Sequence, residues 1–120
     1  MGIVLVCVKK VVRIGRSLSF ILPSSFARHL GVSSSTFFYV FCSNEGIVYS
    51  LEPPEDMDYL SVKSRVQARV KGHEYYVLTI PHAYASRLGI SEGDEILVKL
   101  EGRRIVLNQI KGGVGRVVSG

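Results

Sequence analysis

The chain contains two closely similar stretches, FILPSSFARHLGV at residues 20–32 and LTIPHAYASRLGI at residues 78–90. Residues 12–49 align with residues 70–107 without a gap, and the 38 pairs include nine identities. The matches include Pro23 with Pro81 and Leu30-Gly31 with Leu88-Gly89. A repeat of this kind predicts two copies of one structural unit in a single chain. No other feature limits the possible folds as strongly.

Each copy predicts the element order ββαββ in about 50 residues. Two β-rich runs come first, and a helix follows Pro23 or Pro81, because proline suits the first turn of a helix. We expect Gly31 and Gly89 to end these helices in the left-handed conformation. A strand pair then follows, with hairpin turns at 44–46 and 101–102.

A unit of this size buries too little apolar surface to be stable alone. We therefore predict that the copies share one core as a pseudo-dimer, which a tandem duplication would produce. The predicted boundaries are a first repeat at 1–54, a linker at 55–62, a second repeat at 63–111 and a flexible Gly-rich tail at 112–120. The linker is acidic and follows two prolines.

The composition indicates a polyanionic partner. The net charge is +5 with a pI of about 9.4, and basic residues cluster at 9–16 and 63–71. In a regular strand, Lys9 and Arg13 would share a face with Lys10 on the other, and Arg65, Arg69 and Lys71 would all share one face. The first cluster either contacts phosphate and the DNA groove or protects an exposed strand edge by charge, and the second either tracks phosphates or is ordinary surface charge.

The sequence shows no arrangement typical of an enzyme or a metal site. Cys7 and Cys42 form no CxxC pattern, so we expect free thiols in a reducing cytoplasm, with a structural bridge as the alternative. The three histidines have no metal-binding pattern. We expect no catalytic residues and no cofactor. The apolar N-terminal run is too short for a membrane span and is expected to form a strand.

The segment VRIGRSLSFILPSSFARHLGV resembles the swapped-hairpin SpoVT/AbrB family, which includes MazE-type antitoxins. The matching positions in the first copy are Arg13, Gly15, Ser17, Leu22-Pro23 and Leu30-Gly31. The second copy is similar to the back half of the pattern, with Ile80-Pro81, Leu88-Gly89-Ile90 and Gly93-Asp94.

The resemblance implies a mainly β fold with short helices, in which two ββαββ swapped-hairpin repeats interleave as a pseudo-dimeric β-barrel. It also implies binding of double-stranded DNA, with Arg13, Arg16, Ser17 and Arg28 facing the DNA. With the two basic clusters, the candidate DNA-binding residues are Lys9, Lys10, Arg13, Arg16, Ser17, Arg28, Arg65, Arg69 and Lys71.

The second copy departs from the pattern in the ungapped alignment. Lys71 aligns with Arg13, but His73-Glu74-Tyr75 align with Gly15-Arg16-Ser17. Because Glu74 would repel phosphate, we expect the second copy either to bind DNA differently or mainly to complete the fold.

The leading hypothesis is a cytoplasmic, nucleoid-associated regulator of transcription that can form a homodimer or a higher homo-oligomer and does not bind membranes. One alternative is an antitoxin, which we favour less because only a short Gly-rich segment follows Asn108. Others are a protein-interaction module without DNA binding and a ring-forming regulator resembling MraZ.

Overall fold

The structure of the chain is a computed structural model that describes residues 4–110. These residues form ten strands and two short helices. In chain order the elements are β1 Val4–Lys10, β2 Val12–Ile14, β3 Ser17–Ile21, α1 Ser24–Leu30, β4 Phe37–Ser43, β5 Gly46–Ser50, β6 Leu60–Lys63, β7 Arg65–Val70, β8 His73–Thr79, α2 His82–Leu88, β9 Glu95–Glu101 and β10 Arg104–Gln109. The prediction of a mainly β fold with short helices is confirmed.

The strands form two curled antiparallel sheets that together make a half-barrel. The six-stranded sheet has the order β1-β9-β10-β5-β4-β6, and the four-stranded sheet has the order β2-β3-β8-β7. If each strand of the first half, β1–β5, is exchanged with the corresponding strand of the second half, β6–β10, both strand orders are reversed. Both sheets contain strands from both halves of the chain, since β1 pairs with β9, β5 with β10 and β3 with β8. Neither half has a sheet of its own.

One large apolar core lies between the sheets and takes residues from both halves. Tyr49 of β5 lies at its centre, fully buried, with its ring edge-on to Phe20 of β3 and Phe38 of β4. Its hydroxyl donates a 2.7 Å hydrogen bond to the carbonyl oxygen of Thr79 at the end of β8. Tyr49 therefore connects the six-stranded sheet to the four-stranded sheet.

The two helices begin and end as the repeat predicts. Pro23 and Pro81 are the N-cap residues, immediately before the first helical residue. Gly31 and Gly89 end the helices with φ of 71° and 69°, a conformation that costs glycine little. The turns of the two hairpins in the six-stranded sheet also fall where predicted, after Ser43 and after Glu101.

The first β-rich run is not one strand, as the sequence suggested. The chain leaves the six-stranded sheet after Lys10 and enters the four-stranded sheet at Val12, with Val11 buried at the crossing. The amide of Val11 donates to the carbonyl oxygen of Asp94 at 2.8 Å, which fixes this corner. Lys9 and Arg13 consequently lie on different strands in different sheets, so the prediction that they share one face is wrong.

The first strand of the second half lies partly inside the segment interpreted as a linker. Leu60–Lys63 form β6, which pairs with β4. The segment interpreted as a Gly-rich tail, 112–120, lies outside the described residues. Within residues 4–110, neither helix has the length and apolar character needed to cross a membrane.

Candidate nucleic-acid interface

A basic residue lies in the turn of each hairpin of the four-stranded sheet. The turn between β2 and β3 consists of Gly15 and Arg16, and the turn between β7 and β8 consists of Lys71 and Gly72. Gly15, Lys71 and Gly72 have φ of 62°, 51° and 81°, which two-residue hairpin turns of the primed types require. Lys71 therefore adopts a conformation that side chains other than glycine rarely take, and it projects from the tip of its hairpin.

The two hairpins correspond turn to turn, and this changes the residue matches of the ungapped alignment. Each turn is preceded by successive cross-strand pairs, and the second pair from the turn has the same place in both hairpins. In this pair Arg13 lies opposite Leu18 in the first hairpin, and Arg69 lies opposite Glu74 in the second. Arg69 is therefore the structural counterpart of Arg13. Glu74 is the counterpart of Leu18, so the second copy does not place an acid where the first has Arg16.

The alignment fails here because the second hairpin is longer. β7 and β8 have six and seven residues, whereas β2 and β3 have three and five. The ungapped alignment still holds where β3 meets β8. It matches Ser19 with Val77 and Ile21 with Thr79, so the Ser19–Thr79 pair corresponds to the Ile21–Val77 pair. The difference in length is confined to the outer ends of the hairpins, which carry the candidate residues.

Arg13 is held by the opposite half of the chain. Its Nε lies 3.0 Å from Oε1 of Glu92, in the turn after α2, and its Nη1 donates to the carbonyl oxygen of Arg16 at 3.4 Å. These residues line a groove of about 370 Å³ between the first hairpin and α2, together with Ser17, His82 and others. The first hairpin and the second helix thus form one surface.

Arg69 is held within its own hairpin. Its Nε donates to Oε2 of Glu74 at 2.8 Å, and the hydroxyl of Tyr76 donates to Oε1 of the same carboxylate at 2.8 Å. The hydrogen bond from Arg69, followed by that from Tyr76, lowers the pKa of Glu74 below its usual value. The bond to Glu74 in turn raises the pKa of the Tyr76 phenol.

The predicted stripe of Arg65, Arg69 and Lys71 does not form. A bulge between Val66 and Ala68 shifts the alternation of β7 by one residue. Arg65 pairs with Val77 and Arg69 with Glu74, and residues 74 and 77 of β8 point to opposite faces. Arg65 and Arg69 therefore lie on opposite faces, and Lys71 lies in the turn.

Arg28 lies beside the second hairpin rather than the first. It is exposed on α1 and lines a groove of about 160 Å³ with Ser24, His73, Glu74 and Tyr76. This groove is the counterpart of the first, because each is formed by the hairpin of one half and the helix of the other. The structure therefore divides the first-copy candidates, with Arg13, Arg16 and Ser17 in one groove and Arg28 in the other.

Lys9 and Lys10 lie at the end of β1, outside both grooves. Lys9 is half-buried opposite Ile96, and Lys10 is exposed opposite Glu95. Among the described residues, the candidate cations without an ion pair within 4.0 Å are Lys9, Lys10, Arg16, Arg28, Arg65 and Lys71.

The sequence did not indicate the acidic partners of the two paired arginines. Glu92 lies in the turn after α2, and its contact with Arg13 spans 79 residues. Glu74 was interpreted as a residue that would repel phosphate, yet it fixes Arg69. Only the hairpin pairing identifies these contacts. Within residues 4–110 the structure shows no group of three histidine, cysteine or acidic side chains suited to a metal ion, and Cys7 and Cys42 are free.

Part of the chain matches a known family. Residues 69–113 match the model of the MazE family, described as "Antidote-toxin recognition MazE, bacterial antitoxin". The matched region runs from the end of β7 through α2 to just beyond β10, so this part of the chain is similar to the MazE antitoxin family, which is related to the AbrB and SpoVT swapped-hairpin proteins. No curated protein and no solved structure matches the chain at a significant level.

Proposed function

We propose that this chain is a double-stranded DNA-binding regulator of transcription, and that it binds through the two hairpins of the four-stranded sheet. The observation that carries this proposal is the pair of hairpin turns, each with an exposed cation, Arg16 or Lys71, at its tip. Neither cation has an acidic partner within 4.0 Å in residues 4–110. Exposed cations that protrude from a protein are suited to phosphate contact.

The spacing of the turns supports the proposal. β3 and β8 are antiparallel, so the turns lie at opposite ends of the sheet. If the register of β3 with β8 is extended, Arg16 falls opposite position 82 on the line of β8. Position 82 is ten residues along that line from Gly72. At the usual rise of a strand this is about 33 Å before twist is considered. Successive turns of B-DNA repeat at about 34–36 Å on one side of the duplex. The two turns can thus reach successive segments of one groove.

The groove residues have distinct roles in this proposal. Arg16 and Lys71 contact phosphates first. Arg13 and Arg69 lie one step behind the turns and are held by Glu92 and Glu74. Arginine can bond two acceptors on the edge of guanine, so these two side chains are suited to base contact when the carboxylates release them. Arg28 adds a phosphate contact beside the second hairpin.

The architecture that supports this surface is a tandem duplication of one ββαββ swapped-hairpin unit. The reversal of both strand orders on exchange of the halves supports this. So do the equivalent grooves, each formed by one half's hairpin and the other half's helix. A duplicated unit presents two similar DNA-contacting surfaces related by a pseudo-twofold axis, as a dimer does. The proposed location is the cytoplasm, in association with the nucleoid, and no catalytic step is involved.

Binding to duplex DNA over a range of salt concentrations tests the proposal. With roughly six phosphate contacts, the plot of log affinity against log salt has a slope of about −5. The purified chain is titrated into labelled genomic fragments at several salt concentrations. A complex with a flat salt response, or no complex at low salt, would rule out the proposed function.

The family match favours one second candidate, an antitoxin that binds a toxin protein. Residues 69–113 match a model described as a bacterial antitoxin. A groove of about 400 Å³ beside α2, lined by Met57, Tyr59, Leu60, Tyr84 and others, offers apolar surface for a protein partner. An antitoxin relieves the growth arrest that its toxin causes, so rescue on co-expression with a toxic partner supports this candidate, and loss of rescue on substitution of Tyr59 locates it.

A further inference from the structure

Strand β1 has an open edge. It is the end strand of the six-stranded sheet, and β9 is its only strand partner among the described residues. β1 is seven residues long, whereas β6 at the other end of the sheet has four. A long end strand leaves a row of free N–H and C=O groups that another strand can pair with.

The side chains of β1 do not protect this edge. Val4, Val6 and Val8 are 50–56% exposed on one face, and Leu5, Cys7 and Lys9 alternate with them on the half-buried face. By contrast, β7, an end strand of the other sheet, carries two arginines and a bulge. Charges and bulges prevent edge association. β1 has no bulge, and its charges are confined to Lys9 and Lys10 at its end.

The hydrogen bonds of the corner identify the residues that face the open edge. The amide of Val11 donates to Asp94, and the carbonyl oxygen of Val11 accepts from Gly93, both at 2.8 Å. In an antiparallel pair alternate residues bond to the same neighbour. The backbone N–H and C=O groups of Cys7 and Lys9 therefore form hydrogen bonds with β9, on the same side of the strand as those of Val11. Val4, Val6, Val8 and Lys10 direct their backbone groups to the open edge.

We propose that β1 pairs with β1 of a second copy of this chain, antiparallel, about a twofold axis at Cys7. This register forms hydrogen-bonded pairs between Val6 and the second copy's Val8, and between Val4 and the second copy's Lys10. Four valines, Val6 and Val8 of each copy, then pack together on one face. The two six-stranded sheets become one continuous sheet.

The charges around the strand favour this arrangement. The antiparallel register places Lys10 opposite the second copy's Val4 rather than against another lysine. Within each copy, Lys10 lies opposite Glu95 and Val4 lies opposite Glu101. Each Lys10 therefore has Glu95 of its own chain on one side and the second copy's Val4 on the other, with that copy's Glu101 one strand beyond. In a parallel arrangement Lys9 and Lys10 of one copy would lie beside Lys9 and Lys10 of the other, and these like charges would repel each other.

The competing pairing joins β1 to β6 of another copy. β6 offers four residues and follows Pro53 and Pro54 closely, so it forms a shorter ladder. Head-to-tail pairing produces rings or open-ended chains of many copies, whereas pairing of β1 with itself closes after two copies. Two seven-residue strands bury less than the roughly 1,200 Å² of a standard stable interface, so we expect a dimer that forms in a concentration-dependent way.

The molar mass of the full chain in the absence of DNA tests the proposal. Sedimentation velocity over a concentration series is expected to show a monomer–dimer equilibrium. The double substitution V6E/V8E is expected to abolish the dimer, because like charges then face each other across the interface. Each side chain is at least half exposed, and within one chain position 6 lies opposite Lys99, so the fold is retained, which circular dichroism checks.

Two further variants make the result specific. An equimolar mixture of V6E/V8E with V6K/V8K is expected to restore the dimer, since opposite charges then face each other. The matched control Leu60→Glu on β6, whose side chain is 44% exposed, is expected to leave the dimer unchanged. A wild-type chain that stays monomeric at every concentration overturns the proposal. Loss of association in Leu60→Glu, with species larger than a dimer in the wild type, overturns it in favour of head-to-tail pairing.

Cross-linking tests the register. In the proposed dimer, Cys7 faces the second copy's Cys7 in a pair without hydrogen bonds, whose Cα atoms are about 4.5 Å apart, within the range of a disulfide. In a Cys42→Ser background, diamide oxidises the two thiols to one interchain disulfide, and non-reducing electrophoresis is expected to show a dimer. A dimer that sediments but does not cross-link overturns the axis at Cys7. None of these measurements depends on DNA binding.

Discussion

The guanidinium of Arg13, on the first hairpin, lies 3.0 Å from the carboxylate of Glu92, in the turn that follows the second helix. The contact joins the two halves of the chain at the rim of the groove between the first hairpin and α2. Both side chains are about half exposed, and an exposed pair contributes only about 0.2–1 kcal/mol. A phosphate or a base edge can therefore displace the carboxylate at little cost.

Glu92→Gln is expected to strengthen DNA binding. The substitution releases Arg13 and removes a negative charge beside the proposed phosphate contacts. The free energy of an exposed pair corresponds to an affinity gain of about 1.4- to fivefold. Fluorescence anisotropy with a labelled duplex measures the gain. Glu55→Gln changes the net charge equally in the exposed segment before β6 and is expected to have little effect. Equal gains in the two variants would show that Arg13 has no specific role.

Arg69→Ala is expected to raise the pKa of Glu74. Arg69 is the first cause and Tyr76 the second of the lowered pKa of this carboxyl. A carboxyl whose pKa is lowered by folding adds stability above its unfolded pKa, and this stability disappears as the pH falls through the folded pKa. Carboxyl NMR titration measures the shift, and Tyr76→Phe is expected to give a smaller rise. An unchanged Glu74 pKa in Arg69→Ala would contradict the 2.8 Å contact.

Tyr49→Phe is expected to destabilise the fold by about 1–3 kcal/mol, because the buried carbonyl oxygen of Thr79 loses its donor. Burial raises the pKa of Tyr49 well above 10.0. In the wild type, stability is therefore retained below pH 10 and lost as the pH rises above it, since the unfolded chain ionises first. The difference in unfolding free energy between the wild type and Tyr49→Phe therefore becomes smaller above pH 10.

Urea unfolding at neutral pH and above pH 10 measures both effects of Tyr49→Phe. Tyr59→Phe is the control, because its side chain is 43% exposed. If the variant and the wild type keep the same difference in unfolding free energy at both pH values, ionisation of Tyr49 does not contribute to alkaline unfolding.

Gly46→Ala is expected to destabilise the protein far more than Gly102→Ala, although each glycine lies at a hairpin turn of the six-stranded sheet. At Gly46, φ is 131° and a Cβ would overlap the carbonyl oxygen of Leu107. At Gly102, φ is 62° and nothing lies within 4 Å of the Cβ position, so only the left-handed conformation adds a cost, about 1–2 kcal/mol. Free energies of unfolding from urea titration compare the two variants. Equal losses would contradict the close approach of β5 and β10.

The sequence predicted the elements that depend on local chemistry. Proline before each helix, Gly31 and Gly89 after it, and the turn residues after Ser43 and Glu101 act within a few residues, and the structure has each helix and turn at these places. The mainly β fold follows from the same signals.

The faces of the basic residues could not be predicted from alternation alone. Alternation assumes a regular strand, but the chain changes sheets at Val11 and β7 has a bulge after Val66. Each irregularity reverses the face of the residues beyond it. The ion pair of Arg13 with Glu92 depends on how the two halves pack, which the identity of either residue does not reveal.

The central claim, that the two hairpin turns hold DNA, is tested most directly by removing their cations. Arg16→Ala and Lys71→Ala are each expected to weaken binding to every duplex sequence and to reduce the salt slope by about 1, and the double variant by about 2. The control Lys99→Ala/Arg103→Ala removes two positive charges at the β9–β10 hairpin. We predict that this control binds nearly as the wild type does. Equal losses in the two double variants would contradict a specific role for the turns.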